Sequence, residues 1–222
     1  MRRFTVAVFD VDGTLLDTTE GVLSSVRYTI AKSGLPELSD ELLKNFIGPP
    51  IQNSFKKYYS VNDQKAQELA EIFREQYKNV DLLKAVPYPG IYKVFEALKK
   101  DGIKLAVATY KRQDYATKLL RHFEFDKYTN ILYGADPYNK LKKNDIIEKC
   151  MSDLGISNYT QAVMIGDSDN DAIGAQKLHM NFLGVTYGFG FKTPEDINEY
   201  PSIGYAQKPL DIIPFFENIG EK

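Results

Sequence analysis

Five short apolar runs alternate with stretches of helical periodicity, and that alternation leaves few architectures open. The runs span 4–9, 103–108, 130–134, 162–165 and 182–186. Helical spacing marks 91–100, 113–123, 143–154 and 171–178 between the later ones. Val94, Phe95 and Leu98 share one face of the first helix, and Ala116, Leu119, Leu120 and Phe123 one face of the second. Uniformly apolar strands separated by amphipathic helices predict right-handed crossovers and an α/β fold built on a Rossmann-like parallel sheet. In such a sheet every strand points the same way, so the carboxyl ends of all strands open onto one crevice.

Residues 18–85 break this rhythm. Helical patterns over 20–33, 40–46, 51–59 and 63–79 follow one another with no strand between them. Ala66, Leu69, Ala70, Phe73 and Tyr77 give the last of these a one-sided apolar face. A helical block directly after the first strand reads as an inserted domain. Its return is marked by Pro87-Tyr88-Pro89-Gly90, a stiff turn that restarts the alternation. The expected organisation is a core of 1–17 and 86–222 carrying a helical insertion of 18–85.

Four strand ends carry polar residues suited to a phosphate and a cation. Asp10-Val11-Asp12-Gly13-Thr14 follows the first run directly. Thr109-Tyr110-Lys111 ends the second, where a hydroxyl and following amides suit an oxyanion. Lys140, Lys142 and Lys143 precede the helix that starts near Asn144. Gly166-Asp167-Ser168-Asp169-Asn170-Asp171 ends the fourth run. Like charges crowded at one crevice need a cation or a shared proton, so this pattern points to a metal. A calcium loop is excluded, because it needs glycine at its sixth position and glutamate at its twelfth. Counted from Asp10 those places hold Leu15 and Gly21, and counted from Asp167 they hold Ala172 and Leu178.

Composition narrows the partners. The 222 residues carry a net charge of −2, so no strong field favours nucleic acid or an anionic membrane. The single cysteine, Cys150, excludes an internal disulfide and fits a reducing, cytoplasmic setting, with the side chain in the core. The six mostly apolar residues after Met1-Arg2-Arg3 are too few for a signal peptide or a membrane span. His122 and His179 match no metal spacing and are expected on the surface or at helix ends.

The ordered set of an Asp-x-Asp-Gly-Thr strand end, a threonine strand end, a lysine and a Gly-Asp-x-x-x-Asp run resembles the haloacid dehalogenase superfamily of phosphohydrolases. Ile47-Gly48-Pro49-Pro50, Thr109-Tyr110-Lys111 and Gly184–Gly190 are similar to its phosphoglycolate phosphatase-like subgroup. The resemblance implies a magnesium-dependent phosphatase for a small phosphorylated metabolite, phosphoglycolate-like or a sugar phosphate, acting through an aspartyl-phosphate. A nucleotidase or pyrophosphatase, a phosphoglucomutase-like transferase and an idle binding protein are the alternatives. Asp10 takes the nucleophile's role and Asp12 that of general acid and base. Magnesium falls to the Asp10 and Asp167 carboxylates and the Asp12 carbonyl. Thr109 and the Tyr110 amide hold phosphoryl oxygens, and Lys143 neutralises charge, with Lys140 and Lys142 as alternatives. Asp171 and Ser168 support the site. Gly13, Lys111 and the insertion's Gly48 and Pro49 contribute to substrate binding. A monomer is expected, with a homodimer second.

Overall fold

In the computed structural model, residues 3–136 and 140–217 are described. The chain opens on strand β1 (Val6–Phe9), then β2 (Leu16–Asp17) and helices α1 (Thr19–Lys32), α2 (Asp40–Lys44), α3 (Ile51–Tyr59) and α4 (Asp63–Gln76). It continues through β3 (Val86–Pro87), α5 (Ile91–Lys100), β4 (Lys104–Arg112), α6 (Gln113–His122), β5 (Leu132–Ala135) and α7 (Lys143–Asp153). Then come β6 (Ala162–Gly166), α8 (Asp169–Lys177), β7 (Asn181–Val185), α9 (Pro194–Asn198) and β8 (Tyr205–Ala206), and a 3-10 helix over Pro209–Phe216 closes the described chain. Two compact units divide it: Met1–Leu16 with Pro87–Lys222, and Asp17–Val86. Among the described residues no helix is long and apolar enough to cross a membrane.

The larger unit is built on a six-stranded parallel sheet in the order β5-β4-β1-β6-β7-β8. Strand β1 lies near its centre and is buried along its whole length, which is why Val6-Ala7-Val8-Phe9 carries no polar alternation. On one face, Ile146, Ile147, Cys150 and Met151 of α7 and Ala172 and Ala175 of α8 cover Val6, Val8, Ala106 and Met164. On the other, the ring of Phe9 meets that of Phe95 at 4.7 Å, and Phe95 meets Phe125 at 5.3 Å. Each such side chain contributes roughly 1.5–3 kcal/mol on burial. Cys150 sits inside this core, where burial pushes its thiol up to about 12.

Register positions the functional residues. Phe9 pairs with Val107 on one side and with Ile165 on the other. Asp10 lies one position past that level, and Thr109 and Asp167 two positions past it, so the three come together at the same edge of the sheet.

The expected strand over 103–108 runs on through Thr109, Tyr110 and Lys111 to Arg112. Its pairing with β5 shifts register between Ala108 and Arg112, a bulge that keeps a polar stretch in the strand while re-aiming its side chains. Helix α8 starts at Asp169, two residues before the expected 171, with the Asp171 carboxylate reaching back to accept the amide and hydroxyl of the N-cap residue Ser168. Strand β8 and the 3-10 helix were absent from the pattern, being too short or too irregular for a periodic signal.

In the unit of Asp17–Val86, α1 and α3 each pack against α4. The helix expected to reach 79 ends at Gln76 and widens into a π-helical turn over Tyr77–Asp81. That turn ends on fully buried Asp81. Asp81 accepts hydrogen bonds from Ser24 (3.0 Å), Ser25 (2.8 Å) and Gln76 (3.0 Å) and pairs with the Lys84 ammonium at 2.8 Å. Burial would raise its carboxyl; these donors outweigh it and hold the carboxyl below the ordinary value.

Candidate active site

The turn after β1 is tied to its own backbone. The Val11 carbonyl accepts the amides of Thr14, Leu15 and Leu16, and the Gly13 amide donates to Leu16. Gly13 is held at φ +80°, and a Cβ there would lie 2.1 Å from Asp167 Oδ2. Only glycine lets the two acidic strand ends approach so closely.

Asp10 is buried at the end of β1, and its amide donates to the Ile165 carbonyl. The Lys143 ammonium lies 2.7 Å from Asp10 Oδ1 and 2.7 Å from Asp171 Oδ1. Asp171 is held in turn by the Ser168 amide (3.2 Å) and hydroxyl (2.7 Å), both on Oδ2. Asp167 receives the backbone amides of Phe189 (2.6 Å) and Gly190 (3.0 Å) on Oδ2. Carboxylate oxygens of Asp10, Asp167 and Asp171 all lie within 4.8 Å of one another.

Burial drives the electrostatics. It pushes the Asp10 carboxyl up to about 7, against the lowering charge of Lys143, with Asp171, Asp167 and Asp12 adding to the rise. Burial likewise carries Asp167 to about 6, helped by Asp171 and held back by the two backbone amides. Lys143 shows the reverse balance. Burial pulls its value down, but the charges of Asp10 and Asp171 outweigh that and hold the ammonium above the ordinary lysine range. Carboxylate oxygens are hard donors, and those of Asp10, Asp167 and Asp171 are close enough together to hold a divalent cation.

Thr109 is buried, and its hydroxyl oxygen accepts the Lys111 amide at 3.1 Å, which leaves the hydroxyl its own proton to donate. The Tyr110 hydroxyl accepts the Lys143 backbone amide at 2.9 Å, tying β4 to the first turn of α7. The Lys111 ammonium pairs with Asp12 Oδ1 at 3.1 Å. Of the three lysines considered, Lys143 is the one that reaches Asp10, while Lys140 and Lys142 are exposed and donate backbone amides to Asp136 and Asp145. Gly48 and Pro49 lie exposed in the helical unit.

Two further contacts shape the site. The amides of Phe189 and Gly190 hold Asp167 through backbone alone, hinted at only by the paired glycines 188 and 190. The Tyr187 hydroxyl donates to the Thr14 carbonyl at 3.0 Å, so Tyr187 braces the acidic turn.

This arrangement coincides with a match to the haloacid dehalogenase-like hydrolase family over residues 7–185. The chain belongs to that family. It is similar to a 5'-nucleotidase of Pseudomonas aeruginosa, with 33% identity over 85% of each chain. It is also similar to a phosphoglycolate phosphatase of Agrobacterium fabrum, with 31% identity over 83% of this chain and 81% of that one. Its fold superposes on a haloacid dehalogenase-like hydrolase from Streptococcus pneumoniae with a TM-score of 0.88, at 28% identity over 97% and 99% of the two chains. As a haloacid dehalogenase-like hydrolase of the phosphoglycolate phosphatase-like subgroup, the protein is a phosphomonoesterase.

Proposed function

We propose that this phosphatase is magnesium-dependent and hydrolyses a small phosphorylated metabolite, phosphoglycolate-like or a sugar phosphate, through an aspartyl-phosphate on Asp10. The observation that carries the reading is the Lys143 ammonium, 2.7 Å from the carboxylates of Asp10 and Asp171, which with Asp167 offer ligand oxygens within 4.8 Å of one another. In this reading Asp10 attacks phosphorus while the ester oxygen leaves with a proton from Asp12. Asp12 then takes a proton from the water that displaces phosphate from Asp10. Thr109 donates its hydroxyl to a phosphoryl oxygen, and Lys143 offsets the charge that grows as the bond to Asp10 forms. The carboxylates of Asp10 and Asp167 would hold magnesium, with Asp171 kept by Lys143 and Ser168 at their side. Bound magnesium supplies a hard positive charge that lets an anionic phosphate approach an anionic nucleophile. The helical unit is a cap in this reading, and its Gly48 and Pro49 contribute to substrate binding.

A nucleotidase is the second reading, favoured by the 33% identity to a relative named 5'-nucleotidase. Phosphate release from a panel of small acid, sugar and nucleoside monophosphates separates the two, run with and without magnesium. The Asp10→Asn variant should lose all but about a thousandth of the activity while melting as a folded protein. Phosphate retained covalently on wild-type protein and absent from Asp10→Asn supports the intermediate. Undiminished turnover by Asp10→Asn, or by wild type in excess chelator, refutes the reading.

A further inference from the structure

We propose that Gln113 is a positioning residue for the phosphate: its carboxamide staples the far end of the β4 bulge to β5 and so sets where Thr109 offers its hydroxyl. The proposal rests on the phosphatase reading, in which Thr109 donates to a phosphoryl oxygen. Ala108 pairs with Tyr133, and Arg112 with Ala135. Between those two pairs Thr109, Tyr110 and Lys111 stand against Gly134 alone. A strand that spends three residues where its neighbour spends one must arch, and the arch is fixed only if both its ends are.

Every residue of the arch is engaged. The Thr109 hydroxyl accepts the Lys111 amide, the Tyr110 hydroxyl accepts the Lys143 amide, and the Lys111 ammonium pairs with Asp12. A shift of the arch is therefore felt at the site. Its near end continues the ladder, where the Val107 amide donates to the Ile131 carbonyl at 2.8 Å. Its far end has the pairing of Arg112 and then the side chain of Gln113, the first residue of α6.

That side chain uses both of its polar atoms. Oε1 accepts the Gly134 amide at 2.7 Å, and Nε2 donates to the Leu132 carbonyl at 3.0 Å and to the Thr117 hydroxyl at 2.9 Å. A carbonyl and an amide two residues apart are the pair that one residue of a parallel neighbour would engage. The carboxamide thus does for β5 what a strand residue would do. Glutamate could accept the Gly134 amide but could not donate to Leu132, and leucine could do neither.

The approach is close as well as bonded. A Cβ on Gly134 would lie 2.4 Å from the Lys111 carbonyl oxygen and 2.9 Å from Gln113 Cα. Gly134 is buried there, so the arch and the start of α6 settle directly on the β5 backbone.

The test reads kcat, KM and the competitive Ki of inorganic phosphate, in excess magnesium, with the monoester that wild type turns over best. Inorganic phosphate has no leaving group, so its Ki reports the phosphate cradle by itself. Gln113→Leu should raise KM and Ki together by about tenfold, the scale of one hydrogen bond to a charged group. Gln113→Glu keeps the size and the Gly134 bond, and should raise both in the same way even where the leucine variant fails to fold. Gly134→Ala displaces the Lys111 carbonyl from the other strand and should give the same signature. In a Thr109→Val background Gln113→Leu should change Ki by about twofold at most, because both act through one hydroxyl. A glutamine that serves stability alone would lower Tm and the yield of active enzyme while KM and Ki keep their wild-type values. That result overturns the inference and leaves the phosphatase reading standing, as does full additivity with Thr109→Val. A wild type that turns over no ester and binds no phosphate overturns the phosphatase reading and the inference with it.

Discussion

Replacing Lys143 by methionine keeps the aliphatic stem and removes one ammonium from between two buried carboxylates. The side chain is 3% exposed and faces Asp10 and Asp171 at 2.7 Å each, so little water can take its place. Removing one member of a buried ion pair costs about 3–5 kcal/mol. For a chain of this length 1 kcal/mol moves Tm by about 2–4 °C, so the expected fall is roughly 6–20 °C at pH 8 in chelator. The loss should depend on pH. Asp10 has its carboxyl pushed up to about 7 from an ordinary 3.8. The folded site therefore favours the proton below about 7, and the cost of a bare carboxylate grows as pH rises through that value. Without Lys143 the Asp10 carboxyl climbs further. Lys143 keeps its own proton across the whole range, since its partners hold it above the ordinary lysine value. The deficit is thus smallest near pH 5, where Asp10 already carries a proton, and largest at pH 8. Thermal unfolding of both proteins at these two pH values measures it. A Tm difference under about 3 °C, equal at both pH values, would refute this electrostatic account of the site.

Magnesium should raise Tm, by about 5–10 °C at a hundredfold excess over Kd. Its affinity should climb between pH 5 and 8, because Asp167 at about 6 and Asp10 at about 7 must first lose their protons; titration calorimetry showing a flat profile would contradict this. Asp12→Ala should slow esters with poor leaving groups by about 10²–10⁴-fold and activated aryl phosphates far less, with equal losses counting against Asp12 as the acid. Gly13→Ala places a methyl 2.1 Å from Asp167 Oδ2 at a positive φ, so both magnesium affinity and turnover should drop; wild-type values for both would show that the turn relaxes freely.

Strands buried on both faces announce themselves, and β1, β6 and β7 were legible because β1 and β6 are apolar throughout and β7 is so after Asn181. The amphipathic helices α5 and α6 were equally plain, as Ile91, Val94, Phe95 and Leu98 fall on one buried stripe. The far end of β4 was hidden because Tyr110, Lys111 and Arg112 look like loop residues. They are strand residues whose side chains the bulge turns toward Lys143, Asp12 and Asp114. The acidic cluster could be read as a cluster, since two Asp-rich strand ends in a parallel sheet open on the same side and can meet. Which lysine reaches it depends on a contact spanning 133 residues of chain, and no local pattern encodes that distance. The grip of Phe189 and Gly190 on Asp167 was invisible for a simpler reason: backbone amides are the same whatever residue carries them.

The central place of β1 has a consequence for how the chain is made. Its two sheet neighbours, β4 and β6, come later in the chain, and roughly a hundred residues separate Phe9 from Lys104. At ribosomal speeds of about 5–20 residues per second, β1 waits about 5–20 s for its first partner. Through that interval Val6-Ala7-Val8-Phe9 is an uncharged, strand-forming segment with both edges bare, the kind that sticks to other nascent chains. The helical stretch of Asp17–Val86, a compact unit of its own, is synthesised during this wait. Production of the protein should therefore respond to chaperone supply and growth temperature more steeply than its final stability would suggest.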